Sequence, residues 1–218
     1  YKRTFWLLVF GLMHGYLFWY GDILYAYAMC GFIIYLLRNK SIKTLLSIAL
    51  ILLLISTAYS LGTSAAISHF PEEAKVGLME AWDPNAEKEA KEIMAYTGSF
   101  LSALSYRAEE TFFMQTFVFL TMFIWRATAM MLLGMALYKS GFFQLQWQSR
   151  SYKIMFALGL FIGLNLIVPG LKANLEHDFS LEYSMFTGSQ YNYWGSIFMA
   201  LAYASGIMLL VRSGLLQG

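Results

Sequence analysis

The run TFWLLVFGLMHGYLFWYGDILYAYAMCGFIIYLL, residues 4–37, decides the fold. Its residues are mainly apolar and aromatic, and Asp22 is its one charged side chain. Two apolar stretches, 4–20 and 22–37, meet at Tyr20-Gly21-Asp22, and each is close to the ~17 to 25 residues that a helix needs to cross a bilayer. The connection is so short that the two stretches must form a helical hairpin.

The composition of the whole chain is that of an integral membrane protein. Of its 218 residues 59% are hydrophobic and 13% are charged, with mean hydropathy +0.55, whereas about a quarter of the residues of a soluble domain are charged. We therefore predict an all-α polytopic transmembrane helix bundle, a single domain over 1–218 with about six spans. The predicted spans are 4–20, 22–37, 42–61, 112–138, 154–170 and 192–211.

Basic residues orient the bundle, because they gather on the cytoplasmic side of membrane proteins. With residue 1 cytoplasmic, the inner ends of the spans hold many basic residues and no acidic one: Lys2, Arg3, Arg38, Lys40, Lys43, Lys139, Arg150, Lys153 and Arg212. The net charge of +2, with no basic cluster interleaved with aromatics, argues against a nucleic-acid partner. The bilayer is the predicted partner, and the oligomeric state is left open.

The segment 62–111 is predicted to be extracytoplasmic. Asp83 is a candidate N-cap with Pro84 at the first helical position, and the apolar residues that follow fall on one helical face. This pattern predicts an amphipathic helix on the outer membrane surface. A solvated connector is the alternative.

His14 and Asp22 are the polar groups of the hairpin. His14 is about midway along the first predicted span, where a neutral imidazole can serve as a base or hydrogen-bond another helix. Asp22 can orient an imidazole or cap the second helix through its first N–H groups, and capping is the favoured interpretation. On this interpretation the two side chains are separate features rather than one catalytic pair.

Two arginines are further candidates. Arg126 lies inside the fourth predicted span, where its charge requires a partner, either a structural one or the anion of a substrate. Arg3, next to Lys2 at the inner mouth of the first span, is either an ordinary positive-inside residue or an anchor for a phosphorylated ligand such as acyl-CoA. No motif predicts a bound cofactor, and the single Cys30 and the adjacent His177 and Asp178 are too few to form a metal site.

Three runs together resemble the YeiB-like family of bacterial inner-membrane proteins, domain of unknown function 418. They are KRTFWLLVFGLMHGYLFWYGDILYAYAMCGF, YTGSFLSALSYRAEETFF and RATAMMLLGMALYKSGFF, and they extend from residue 2 to about 143. The family looks like a branch of the transmembrane acyltransferases, which move acyl groups from coenzyme A onto extracytoplasmic sugars. The resemblance implies about ten helices, with further spans before Tyr1 and after Gly218, so that the chain is an internal fragment.

The resemblance also implies a site and a location. The polar positions of the family pattern fall on Arg3, His14, Asp22, Arg107 and Arg126. We therefore expect His14 and Asp22 to be catalytic, and Arg3, Arg126 and Arg107 to bind substrate, with acyl-CoA as co-substrate and an extracytoplasmic acceptor. The expected location is the bacterial cytoplasmic membrane. A transporter or channel, or a membrane scaffold or sensor, is the alternative function, because intramembrane polar groups also mark ion and substrate pathways.

Overall fold

The computed structural model describes residues 1–215, which are helical with no β-strand. Its α-helices are α1 (Lys2–Leu17), α2 (Leu24–Leu37), α3 (Ile42–Ala66), α4 (Glu72–Trp82), α5 (Ala86–Thr97), α6 (Phe100–Phe113), α7 (Ile124–Lys139), α8 (Ser149–Glu176) and α9 (Ser189–Arg212). A 3-10 turn, Ile67–His69, follows α3, and π-helical stretches, Met114–Phe123 and Leu181–Gly188, lead into α7 and α9. The predicted all-α class is confirmed.

Among residues 1–215, four continuous helical stretches are long and apolar enough to cross a bilayer: Ile42–His69, Phe100–Lys139, Ser149–Glu176 and Leu181–Arg212. The helix α2 is apolar but shorter. With 16 residues, α1 extends only about 24 Å, against a hydrocarbon core of about 30 Å. The membrane-helix architecture is thus supported, whereas the count of about six spans is not confirmed.

The predicted start of the outer helix was misplaced. Asn85, rather than Asp83, is the N-cap of α5, and its side chain accepts the Lys88 N–H at 2.8 Å. Asn85 has extended backbone angles (φ −74°, ψ 163°), which let its side-chain oxygen reach that amide. The helix then breaks at Gly98, and Ser99 caps α6, so the predicted single amphipathic helix is two helices.

The described chain divides into two compact units, Tyr1–Ser56 with Asp83–Ala136, and Thr57–Trp82 with the described residues from Leu137 onward. In the first unit, α1 packs against α2 and α6. Gly11 makes the close approach to α2 possible, because a Cβ at this position would lie 2.9 Å from the backbone of Leu24. Further along α2, Ala26 and Cys30 form a buried cluster with Phe119.

In the second unit, α8 and α9 form the main helix pair. Small residues line their contact: a Cβ on Gly159 would lie 2.7 Å from the Phe198 carbonyl oxygen. Such close backbone approach is typical of helix pairs in membranes. A second buried cluster, Phe142, Tyr152 and Met208, packs at one end of the pair.

Candidate functional site

The hairpin turn brings His14 and Asp22 together. His14 Nδ1 and Asp22 Oδ1 are 2.9 Å apart. The helix α1 ends at Leu17, so His14 lies in its last turn and not midway along a longer helix. The interpretation that separated the two side chains was therefore wrong.

Asp22 holds the imidazole and caps α2 at the same time. Its second oxygen, Oδ2, accepts the Tyr25 backbone N–H at 2.8 Å, in the first turn of α2. The predicted capping role is confirmed, but it does not exclude the contact with His14. The Asp22 side chain is 2% exposed, whereas that of His14 is 42% exposed. The carboxylate is thus fixed inside the fold and the imidazole reaches its surface.

This geometry selects one tautomer of His14. A carboxylate oxygen only accepts hydrogen bonds, so in the neutral imidazole the shared hydrogen is on Nδ1 and the lone pair is on Nε2. Phe18 and Trp19 flank the ring, with centroids 6.1 and 6.4 Å away. The pair has the arrangement of a histidine base oriented by a carboxylate.

Two polar residues of the long helical stretch lie against the same point of α1. The Thr111 hydroxyl donates to the Gly15 carbonyl oxygen at 2.9 Å. Gln115 Nε2 lies 3.0 Å, and Asp22 Cβ 3.7 Å, from the position that a Cβ on Gly15 would take. Gly15 therefore leaves room for the Gln115 amide beside the His14–Asp22 pair. Neither Thr111 nor Gln115 was a candidate from the sequence, where Thr111 follows Glu109 and Glu110 and Gln115 stands beside Thr116 near the start of an apolar run.

Arg107 of α6 binds the end of α1 next to this site. It is 6% exposed, and its Nη1 donates to the carbonyl oxygens of Leu17 at 2.6 Å and Phe18 at 3.1 Å. Its guanidinium lies 5.7 Å from the centre of the Tyr96 ring. A cation at the C-terminus of a helix bonds the last carbonyls and matches the helix dipole. Arg107 thus holds the end of α1, the turn that carries His14.

Replacing Arg107 with methionine is expected to destabilise the protein by about 2 kcal/mol, because the Leu17 carbonyl loses its buried donor. Thermal unfolding of the full-length protein in detergent measures this loss. Arg38→Met is the matched control, since Arg38 also donates to a backbone carbonyl, that of Tyr35, but at an exposed position. Equal stability of the two variants would contradict the clamp assigned to Arg107.

A further set of polar side chains surrounds the α1–α2 turn. Partial burial, together with the negative charges of Glu92 and Glu110, raises the pKa of the Tyr20 hydroxyl. Tyr20 is therefore a neutral hydroxyl at physiological pH, available as a hydrogen-bond donor.

Arg3 and Arg126 are not part of this group of side chains. Arg3 is exposed in the first turn of α1, about 16 Å along the helix axis from His14. Arg126 is half-buried in α7, on the order of 20 Å along its helical stretch from Thr111. The structure thus groups His14, Asp22 and Arg107, and places the other two candidate arginines towards the opposite end of the same helices. Within residues 1–215, no group of three or more His, Cys, Asp or Glu side chains is arranged to hold a metal ion.

The apolar helices of bilayer length and the polar cluster enclosed by apolar helices define an integral membrane protein. The family described as "Protein of unknown function (DUF418)" matches residues 137–217. The chain is 27% identical to "Uncharacterized protein YeiB" of Escherichia coli over 91% of its own length and 50% of that protein. It is 49% identical to "Uncharacterized protein YxaH" of Bacillus subtilis over 45 residues, 21% of the chain and 11% of that protein. The chain is thus similar to the DUF418 family over 137–217 and to YeiB over most of its own length.

The family match and the alignment with YeiB cover different parts of the chain. The chain spans about half the length of YeiB. The family match covers the C-terminal part and overlaps the three runs only at 137–143, the end of the third, whereas the alignment with YeiB extends over most of the chain. No solved structure matches.

Proposed function

We propose that this chain carries the acceptor-activating site of a transmembrane acyltransferase. The supporting observation is the His14–Asp22 pair at 2.9 Å, with the carboxylate held by the Tyr25 N–H. A histidine whose Nδ1 is held by a carboxylate and whose Nε2 is free to take a proton is suited to general-base catalysis. The hairpin run resembles the YeiB-like family, which looks like a branch of the transmembrane acyltransferases, and this resemblance supports the proposed reaction class.

The proposed step transfers an acyl group from a thioester to a hydroxyl or amine. His14 Nε2 takes the acceptor proton while the acceptor oxygen or nitrogen attacks the thioester carbonyl carbon. The tetrahedral intermediate then collapses, the carbon–sulfur bond breaks, and the imidazolium returns the proton to the leaving thiolate. The products are the acylated acceptor and a free thiol, with His14 regenerated. Asp22 stabilises the imidazolium through Nδ1.

Acyl-CoA is the proposed donor, because it is a long molecule with phosphates at one end and the thioester at the other. Arg3 and Arg126, towards the other end of the helices that carry the site, are the proposed phosphate anchors. The positive-inside pattern places the start of α1 on the cytoplasmic side. The donor then enters from the cytosol, and the acceptor meets His14 from the extracytoplasmic side of the inner membrane.

The test uses the full-length protein that contains this chain, reconstituted in proteoliposomes. Acetyl-CoA carrying a labelled acetyl group is supplied on the side of Lys2 and Arg3, and glucosamine, which offers both an amine and hydroxyls, on the other side. We expect labelled acceptor and an equal amount of free thiol, both dependent on glucosamine. Movement of either compound across the bilayer with no thiol released would instead show a transporter. Thiol release that does not require glucosamine would show hydrolysis and contradict acyl transfer.

A further inference from the structure

The amide of Gln115 is buried without a hydrogen-bond partner. Gln115 is 8% exposed, and its Nε2 bonds no atom among residues 1–215. A buried donor of this kind is unfavourable, and native structures rarely keep one without a reason. Its position beside Gly15 and Asp22 is therefore a feature to be explained.

Most polar groups around Gln115 already have hydrogen-bond partners, with the buried Nε of Arg107 as an exception. The Thr111 hydroxyl bonds the Gly15 carbonyl, Arg107 bonds the end of α1, and the Asp22 oxygens bond His14 and Tyr25. The Gln115 N–H groups thus remain as donors beside Gly15 and Asp22, the residue that bonds the proposed base. Their partner is expected to be a ligand.

The backbone at Gln115 is also unusual. Gln115 is the second residue of the π-helical stretch Met114–Phe123, which interrupts the α-helical path between α6 and α7. Departures of this kind from α-helical geometry are frequent at functional sites. The change of helical winding therefore begins close to the residue whose side chain lies against Gly15 of α1.

We propose that the Gln115 amide is a catalytic residue that donates a hydrogen bond to the carbonyl oxygen of the acyl donor. This inference rests on the proposed function and deepens it. As the acceptor attacks, negative charge develops on that oxygen, and a donor fixed in advance in a water-poor site stabilises the charge. A neutral amide suits this role, because it gives a hydrogen bond without competing with His14 for the acceptor proton.

The test compares Gln115→Met and Gln115→Glu in the proteoliposome assay with acetyl-CoA and glucosamine. Methionine keeps the length of the side chain but has no donor, and glutamate keeps its shape but replaces the amide with a carboxylate. Removal of one such donor is expected to lower kcat by about 100-fold, with the KM for glucosamine unchanged. Thr116→Val is the matched control, because Thr116 is the next residue along but bonds its own helix at the Phe112 carbonyl.

Stability separates this role from a structural one. Gln115→Met removes an unsatisfied buried donor, so the variant is expected to unfold at the same temperature as the wild type or higher. Wild-type turnover in both Gln115 variants would overturn the inference and leave the proposed function intact. A fall in turnover that follows a fall in unfolding temperature would also overturn it, in favour of a structural role. A wild-type protein that transfers no acetyl group would overturn the proposed function, and with it the substrate assigned to Gln115.

Discussion

Replacing His14 with alanine is expected to lower kcat for acyl transfer by about 1,000-fold, because the acceptor then has no base to take its proton. The KM for the acyl donor is expected to stay near its wild-type value, since the proposed phosphate anchors are far from His14. Initial rates of thiol release in proteoliposomes measure both quantities. His177→Ala is the matched control, because His177 is an exposed histidine in the other unit. Unchanged turnover in His14→Ala would remove His14 from the mechanism.

Asp22→Asn tests whether the carboxylate orients that base. The asparagine oxygen can still accept the Tyr25 N–H, so the start of α2 is preserved. Its amide group then faces His14 Nδ1 as a donor, which moves the imidazole hydrogen to Nε2 and removes the lone pair from the reacting side. A wrong tautomer of this kind costs up to about 10⁴-fold in a catalytic triad, and we expect a loss of at least about 100-fold here.

Asp22→Ala separates the two roles of the carboxylate. Alanine loses the contact with His14 and also the cap on α2, and loss of a cap costs about 1 kcal/mol. The alanine variant is therefore expected to lose both activity and stability, while the asparagine variant loses activity but keeps its stability. Full activity in Asp22→Asn would show that the 2.9 Å contact has no part in the reaction.

The hairpin was predictable because its signal is local. Two apolar stretches joined by Tyr20-Gly21-Asp22 admit no other connection, and the structure has α1 and α2 in these places. The end of α1 was not predictable, because Arg107, far along the chain, bonds the carbonyls of Leu17 and Phe18. That long-range contact places His14 in the last turn, within reach of Asp22.

The hydropathy pattern also gave the wrong start for the helical stretch that ends at Lys139. The fourth span was predicted to begin at 112, after the charged residues Glu109 and Glu110. The helical stretch in fact runs from Phe100 to Lys139, because Ser99 caps it and α6 packs on α1. A charged residue on such a helix is tolerated where it faces protein, as Arg107 does, and a hydropathy profile cannot distinguish that environment from a loop.

Gln115 and Thr111 were missed for a related reason. Thr111 follows the charged Glu110 and Gln115 precedes another polar residue, Thr116, so neither stood out from its neighbours. The pattern that could have found them is their spacing of four, which places both on one helical face. The sequence does not show what this face packs against, and in the structure it packs against Gly15 of α1. The reason for a glycine at position 15, which is the close contact with Thr111 and Gln115, can be recognised only once the helical stretch packed against α1 is known.

Gly11→Ala is expected to destabilise the protein by about 3 kcal/mol, towards the upper end of what overpacking costs. The added Cβ would lie 2.9 Å from the Tyr25 Cα and from the Leu24 carbonyl carbon. These are backbone atoms of α2, so no side chain can rotate to relieve the contact and the two helices must separate. Thermal unfolding of the full-length protein in detergent is expected to show a fall in Tm of several degrees.

Gly134→Ala is the control for this substitution, because a Cβ at Gly134 of α7 would meet no atom within 4 Å. Alanine favours a helix more than glycine does, by up to about 1 kcal/mol, so the control is expected to be as stable as the wild type or more so. The loss in Gly11→Ala should extend to activity, because separation of α1 from α2 moves His14 away from Asp22, while activity in Gly134→Ala is retained. A Gly11→Ala variant that keeps wild-type Tm would contradict the close helix contact, and one that loses stability but keeps turnover would show that the reaction does not depend on the His14–Asp22 distance.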